Sequence, residues 1–150
     1  MTERPLMTLC QYRYDALDRW IGSTLPTQAP IQRFYQKRRL ATEIQGSAYT
    51  CVFQHRNQLL AQQDSDKTLS RLLATDQQRS VLASINVQQY NAQRYTPYGH
   101  PGVQSGLDSL LGFNGERPDP ITGHYLLGNG HQSYNPILMR FNSPDSLSPF

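Results

Sequence analysis

The chain has 150 residues, a formal net charge of +3 and a hydrophobic fraction of 37%, which suits one domain or one segment of a larger assembly. Charged residues make up only 17%, below the usual ~25%, and 10% aromatics with so little charge argue against a disordered chain. Polar neutral residues fill the gap, 16 Gln among them, and mean hydropathy is −0.61. Such a composition suits half-wet strands better than a solid helical bundle.

The charge is mild and mostly arginine. Its one cluster, Lys37–Arg38–Arg39, reads as a solvated hairpin turn; Phe34 and Tyr35 beside it could stack on bases, but no nucleic acid is expected. Cys10 and Cys51 are too few and too far apart for a zinc pattern or a disulfide framework, and read as free thiols. Residues 1–14 hold no apolar signal region, and no run approaches the ~18 apolar residues of a membrane span. The expected location is therefore cytoplasmic until a dedicated machine exports the protein.

Four segments in the first part share one shape, an aromatic or apolar strand, a short polar turn and a return into an apolar residue. They are 14–20, 35–40, 53–59 and 73–81, and their closing residues Trp20, Leu40, Leu59 and Val81 are spaced 20, 19 and 22 apart. A repeat of that length is one hairpin per unit of a stacked architecture. The spacing predicts antiparallel hairpins over 9–87 with turns near 15–18, 37–39, 55–57 and 76–79. Tyr49, Cys51, Phe53 and His55 alternate with Thr50, Val52 and Gln54, and Ile31, Arg33 and Tyr35 with Gln32, Phe34 and Gln36. Neither face is uniformly oily, so the sheet is expected to be wet on both sides or to line a cavity. Helical readings compete only at 57–63, 68–74 and 105–111.

Near Tyr95 the chain changes character, with eight of the ten Gly and seven of the ten Pro lying in 95–150. This divides it into 1–94, periodic, and 95–150, punctuated by turns. Gly99, Gly115, Gly123, Gly128 and Gly130 fall where positive φ or close backbone approach is needed, and Pro97, Pro118, Pro120 and Pro136 mark turns or strand edges. Asp119 and Thr122 suit side-chain-capped turns. Phe113, Tyr125, Leu127, Tyr134 and Phe141 are the expected buried anchors of a compact knot. His100, His124 and His131 match no metal-ligand spacing, so no metal or cofactor is expected.

The run Tyr12-Arg13-Tyr14-Asp15-Ala16-Leu17-Asp18-Arg19 resembles the YD repeat of RHS proteins, roughly Tyr-x-Tyr-Asp-x-x-Gly-Arg, with Asp18 in place of the Gly. Residues 73–80, then Tyr95-Thr96-Pro97-Tyr98-Gly99, then 111–120, 122–130 and 134–145 are similar, in order, to the RHS repeat-associated core. The Ser-Pro-Asp-Ser-Leu-Ser-Pro-Phe ending resembles insecticidal toxin-complex C components and related polymorphic toxins.

The resemblance implies a mainly β fold, an open, curved piece of a cocoon of YD-type hairpins over 1–94 that ends in the core motif of 95–150. It implies a structural and delivery module, the C-terminal part of a shell that encapsulates and presents a toxin and has no toxin activity itself. Expected partners are the remaining shell or a C-terminal toxin segment, as part of a secretion system or toxin complex, with self-association through open sheet edges. The family also cleaves itself by aspartyl chemistry, which needs two close carboxylates. Asp145, with Arg140 to hold the charge, is the expected catalytic residue of an incomplete site, the partner and scissile bond being expected beyond residue 150. The alternatives are a residual self-protease that needs that downstream sequence, and a carbohydrate- or partner-binding β-module. No enzyme activity is expected of the chain alone.

Overall fold

The computed structural model describes residues 8–68, 70–102, 109–127, 132–144 and 147. Period-two alternation becomes a nine-stranded antiparallel meander, each strand pairing with the next in sequence order. Its strands are β1 (Gln11–Tyr14), β2 (Trp20–Thr24), β3 (Ile31–Gln36), β4 (Arg39–Gln45), β5 (Ala48–His55), β6 (Gln58–Asp64), β7 (Arg71–Thr75), β8 (Val81–Ile85) and β9 (Tyr90–Ala92). A second sheet follows from β10 (Tyr125–Leu127), β11 (Gln132–Asn135) and β12 (Arg140–Phe141). The helical alternatives at 57–63 and 68–74 give way to β6 and β7, where leucines alternate between buried and exposed. Residues 103–108 lie outside the described part, and 109–111 are not helical.

The four expected hairpins are β1–β2, β3–β4, β5–β6 and β7–β8. In each, the register slips just before the turn, at Arg13/Tyr14, Phe34/Tyr35, Phe53/Gln54 and Ala74/Thr75. Such slips bend and twist a strand pair, so a bend recurs in every repeat. Each turn also holds one non-glycine residue at positive φ: Asp18 (57°), Lys37 (59°), Arg56 (54°) and Arg79 (73°).

The turns of the first and fourth hairpins are built alike. Asp15 N–H donates to Arg19 O and Asp18 N–H to Asp15 O, as Asp76 N–H donates to Ser80 O and Arg79 N–H to Asp76 O. The aspartate closes the loop by accepting the fifth residue's N–H, at 2.9 Å from Arg19 and 2.8 Å from Ser80. Thr96–His100 repeats the pattern, Thr96 Oγ1 accepting the His100 N–H at 3.1 Å. Gly112–Glu116 repeats it in backbone alone. At the fourth position these two turns carry glycine, Gly99 (φ 82°) and Gly115 (φ 68°). A Cβ on Gly99 would stand 2.5 Å from Phe113 Cδ1, so both the φ and the packing there require glycine.

The expected alternation holds, but the two faces differ in their covering. Ile31, Arg33, Leu40, Val52, Leu59, Leu73 and Val81 are buried, while Gln32, Phe34, Phe53, Leu60, Leu72 and Leu82 face outward and are exposed. Residues 109–127 of the same chain lie over much of the inner face and leave a cleft at its turn end. Leu111 from this covering segment joins Leu40, Val52, Leu59, Leu73 and Val81 in one apolar cluster, the favourable contact that outweighs the ordering of the segment. The sheet remains open, with β1 and β9 as its edges.

Candidate functional site

The junction of sheet and covering segment is where most of the motif residues meet. Leu110 N–H donates to Gln62 Oε1 on β6 at 2.7 Å, and Val81 N–H on β8 donates to Gly112 O at 3.2 Å. Asn114 N–H donates to Ser80 Oγ at 3.1 Å. Further along, Arg117 reaches Glu43 on β4, and Asp119 receives the Tyr12 hydroxyl from β1. The covering segment is thus hydrogen-bonded to strands at both ends of the meander.

A buried ionic group sits at the middle of the junction. Arg33 and Glu43 are register partners on β3 and β4, and Arg33 Nε donates to Glu43 Oε2 at 2.8 Å. Arg117 donates to the same carboxylate through Nε at 3.2 Å and through Nη2 to Oε1 at 3.1 Å. The Arg33 guanidinium lies 3.2 Å from the centre of the Trp20 ring, a cation–π contact in a dry site. Burial pushes the Glu43 carboxyl up, but Arg117 and Arg33 together outweigh it and hold it below its ordinary value. Burial lowers Arg33, and Glu43 opposes that shift. None of these charges was legible as a site: Arg33 and Glu43 stand in ordinary strand alternation, and Arg117 is 74 positions from Glu43.

Asp119 is 2% exposed and acts as a turn cap. Its Oδ2 accepts from Tyr12 Oη at 2.9 Å, from Thr122 Oγ1 at 2.6 Å and from Thr122 N–H at 3.3 Å. Gly123 N–H donates to Asp119 O, and Asp119 N–H to His124 O, which closes the loop around Pro120. Burial first, and then Asp119, push the Tyr12 phenol well up. Among the described residues no second carboxylate shares a hydrogen bond with Asp119, so the geometry is that of a structural acceptor and not of a proton-sharing pair.

The remaining motif residues divide as follows. Asp15 Oδ1 accepts the N–H groups of Leu17 and Arg19, and its Oδ2 pairs with the Arg19 side chain at 2.6 Å. The backbone hydrogen bond from Arg19 leads in holding the Asp15 carboxyl below its usual value. Arg19 Nη1 then donates to Lys37 O at 2.7 Å, tying one hairpin turn to the next, and Arg39 Nη2 does the same to Asn57 Oδ1 at 2.6 Å. Tyr14 is partly exposed beside the first turn.

Within the knot, Tyr125 is 3% exposed and tilted against Phe113, 6.3 Å between ring centres, while Phe113 also meets Tyr95 at 5.7 Å. Tyr134 and Phe141, opposite each other in register, meet edge to face at 5.3 Å. Pro136 is buried. Phe141, expected inside, is 45% exposed, because it lies on β12, the two-residue edge of the small sheet, with its one aromatic contact on the Tyr134 side. Arg140 opens β12 on the surface. Asp145, Gly128 and Gly130 lie outside the described residues.

An antiparallel meander of four hairpins, the first and last closed by Asp-capped turns and one face covered by a glycine- and proline-rich segment, is a piece of a YD-repeat β-shell. A family model described as Teneurin YD-shell matches residues 6–149, and the chain belongs to that family. No match was found among the curated proteins.

Proposed function

We propose that this chain is the C-terminal part of an RHS-type shell that encapsulates and presents a polymorphic toxin, and that it has no toxin activity of its own. The observation that carries the reading is the division of labour between the two faces. Residues 109–127 cover much of the inner face, while among the described residues the outer face and both sheet edges stay available. Register partners Phe53, Ala61, Leu72, Ile85 and Tyr90 run straight across five strands, and the four large side chains among them are exposed. An apolar row of that kind, with edges at β1 and β9 unpaired among the described residues, suits stacking on further shell or on a second copy.

In this reading residues 1–94 are wall and 95–150 are the closing core motif. The wall's partners are the rest of the shell and a toxin segment. No helix among the described residues is long and apolar enough to cross a membrane, and delivery falls to a dedicated export machine. Any self-cleavage belongs to Asp145, assisted by Arg140, with a second carboxylate from downstream sequence. Co-expression with the polypeptides encoded beside this chain, followed by size-exclusion chromatography and electron microscopy, tests the proposal. A hollow particle containing the chain is expected. A chain that stays a lone monomer at high concentration, or that kills cells when expressed alone, would sink it. Time-dependent self-cleavage abolished by Asp145→Asn in the chain alone would transfer the assignment to the protease reading.

A further inference from the structure

The turn ends of the first, second and fourth hairpins and the covering segment enclose a cleft lined by six arginines, Arg19, Arg33, Arg38, Arg39, Arg79 and Arg117. Three carboxylates stand against them. Asp15 pairs with Arg19, Glu43 is shared by Arg33 and Arg117, and Glu116 lines the cleft without an ion pair among the described residues. The local excess of three positive charges equals the formal net charge of the whole chain, +3. Trp20, Leu40 and Leu111 form an apolar floor beneath these groups, which lowers the local dielectric and strengthens any charge–charge contact made above it.

Two of the six guanidinium groups have buried donors without acceptors. Among the described residues, Arg79, 2% exposed, has no hydrogen-bond partner for Nε and Nη1, and Arg33, 4% exposed and packed on the Trp20 ring, has none for Nη1 and Nη2. A buried donor left unmade is rare in a folded protein and points to an acceptor that arrives from outside. The groups that orient the neighbouring arginines are neutral. Arg39 donates to Asn57 Oδ1 at 2.6 Å and Arg79 Nη2 to Gln54 Oε1 at 2.9 Å, and Glu116 faces both, its carboxyl pushed up by burial against the opposing pull of Arg39 and Arg79. Arg38 stands exposed at the mouth. Arg38 and Arg39 of the basic run at 37–39, read from sequence as a solvated turn, form the rim of this cleft.

We propose that the cleft is an oxyanion-binding site for a ligand carrying at least two clustered negative oxygens, of the carboxylate or phosphate class. The guanidinium fork matches both anions through paired N–H donors. The anion enters past Arg38 and Arg39 toward Arg79, whose donors the described residues leave unsatisfied, while Arg33, buried against Trp20 and Glu43, adds its charge from beneath. The site is independent of any role in a shell.

Titration calorimetry on the full chain tests it with two probes, pyrophosphate and a short peptide holding adjacent Asp and Glu residues between leucines. Saturable one-to-one binding of either probe is expected, weakening as salt rises. Binding of pyrophosphate alone identifies a free ion as the source, and tighter binding of the peptide identifies an acidic protein segment. The Arg38→Gln/Arg39→Gln double variant alters only rim residues and should keep its circular dichroism while losing about tenfold or more in affinity. Arg94→Gln, outside the cleft, should bind as the unaltered protein does. Absence of saturable binding of both probes at millimolar concentration, or binding indifferent to the rim substitutions, overturns the proposal.

Discussion

The Tyr12 hydroxyl on the first strand donates to Asp119 Oδ2 at 2.9 Å across 107 positions of sequence. It joins the motif that begins the wall to the motif that closes it. Tyr12→Phe removes the donor and keeps the ring that packs edge to face on Trp20 at 5.4 Å. Loss of one charge-assisted hydrogen bond should lower stability by about 1.5–3 kcal/mol, and Asp119→Ala, which also strips Thr122 of its acceptor, should cost more. Urea denaturation of the two single variants and the double variant measures the coupling. A double variant whose loss equals the sum of the singles would show that the two groups do not interact.

Glu43 is the shared acceptor of two arginines, and removing it strands both. Glu43→Ala should lower stability by about 3–5 kcal/mol, as expected when one member of a buried ionic group is lost. The wild-type pH profile follows from the depressed carboxyl. Its contribution is present above the unfolded value of 4.5 and is lost as pH falls through the lower folded value. Denaturation midpoints should therefore drop in acid, and the drop should shrink in the Glu43→Ala protein.

The phenols work at the opposite end of the scale. Tyr12, Tyr14, Tyr35, Tyr95 and Tyr125 all lie above the ordinary value of 10.0, chiefly because of burial. The folded state keeps these protons while the unfolded chain releases them, so stability present below pH 10 is lost as pH rises beyond it. Alkaline titration should show part of the tyrosinate absorbance appearing together with loss of the β-sheet circular dichroism signal. Full ionisation of all nine tyrosines with the sheet intact would contradict the burial.

Arg56 occupies the second-to-last hairpin turn at φ 54° and is exposed. Left-handed backbone costs an L-residue roughly 1–2 kcal/mol, which glycine avoids at a smaller entropic penalty. Arg56→Gly should therefore raise the denaturation midpoint slightly, by up to about 1 kcal/mol. Gly99→Ala should do the reverse and severely, since the new methyl meets the Phe113 ring.

The hairpins were legible because their period was local. Trp20, Leu40, Leu59 and Val81, picked out by spacing alone, are all buried on the covered face, and the turns fall where their polar residues stand. Asp18 was legible as a departure from the repeat's glycine, and its backbone still takes the left-handed conformation at φ 57°. The turn at Thr96–His100 copies the Asp-capped turn with threonine as the cap, and that change of residue hides the likeness in the sequence although the spacing is the same. What closes the inner face was not legible. The contacts of Leu111, Arg117 and Asp119 are with residues far back in the chain, and no periodicity encodes a partner of that kind. One aromatic misled: Phe141, expected in the core, stands half in solvent, because a strand's face is set by register and position in the sheet and not by side-chain size.

The covering segment also imposes an order of events. Each strand of the meander can pair with its predecessor as soon as both exist, a sequence of short loop closures that is fast. Residues 109–127 can dock only once β1, β4, β6 and β8 are already side by side. During synthesis the apolar inner face of the whole meander therefore waits uncovered until the last quarter of the chain arrives. Long-range closure of that kind is the slow step of folding, and the half-built sheet, with two bare edges and a bare face, is the species most exposed to aggregation. Interruption of translation between the last strand of the meander and the covering segment would leave a sheet with every repeat in place and nothing to hold its inner face away from water.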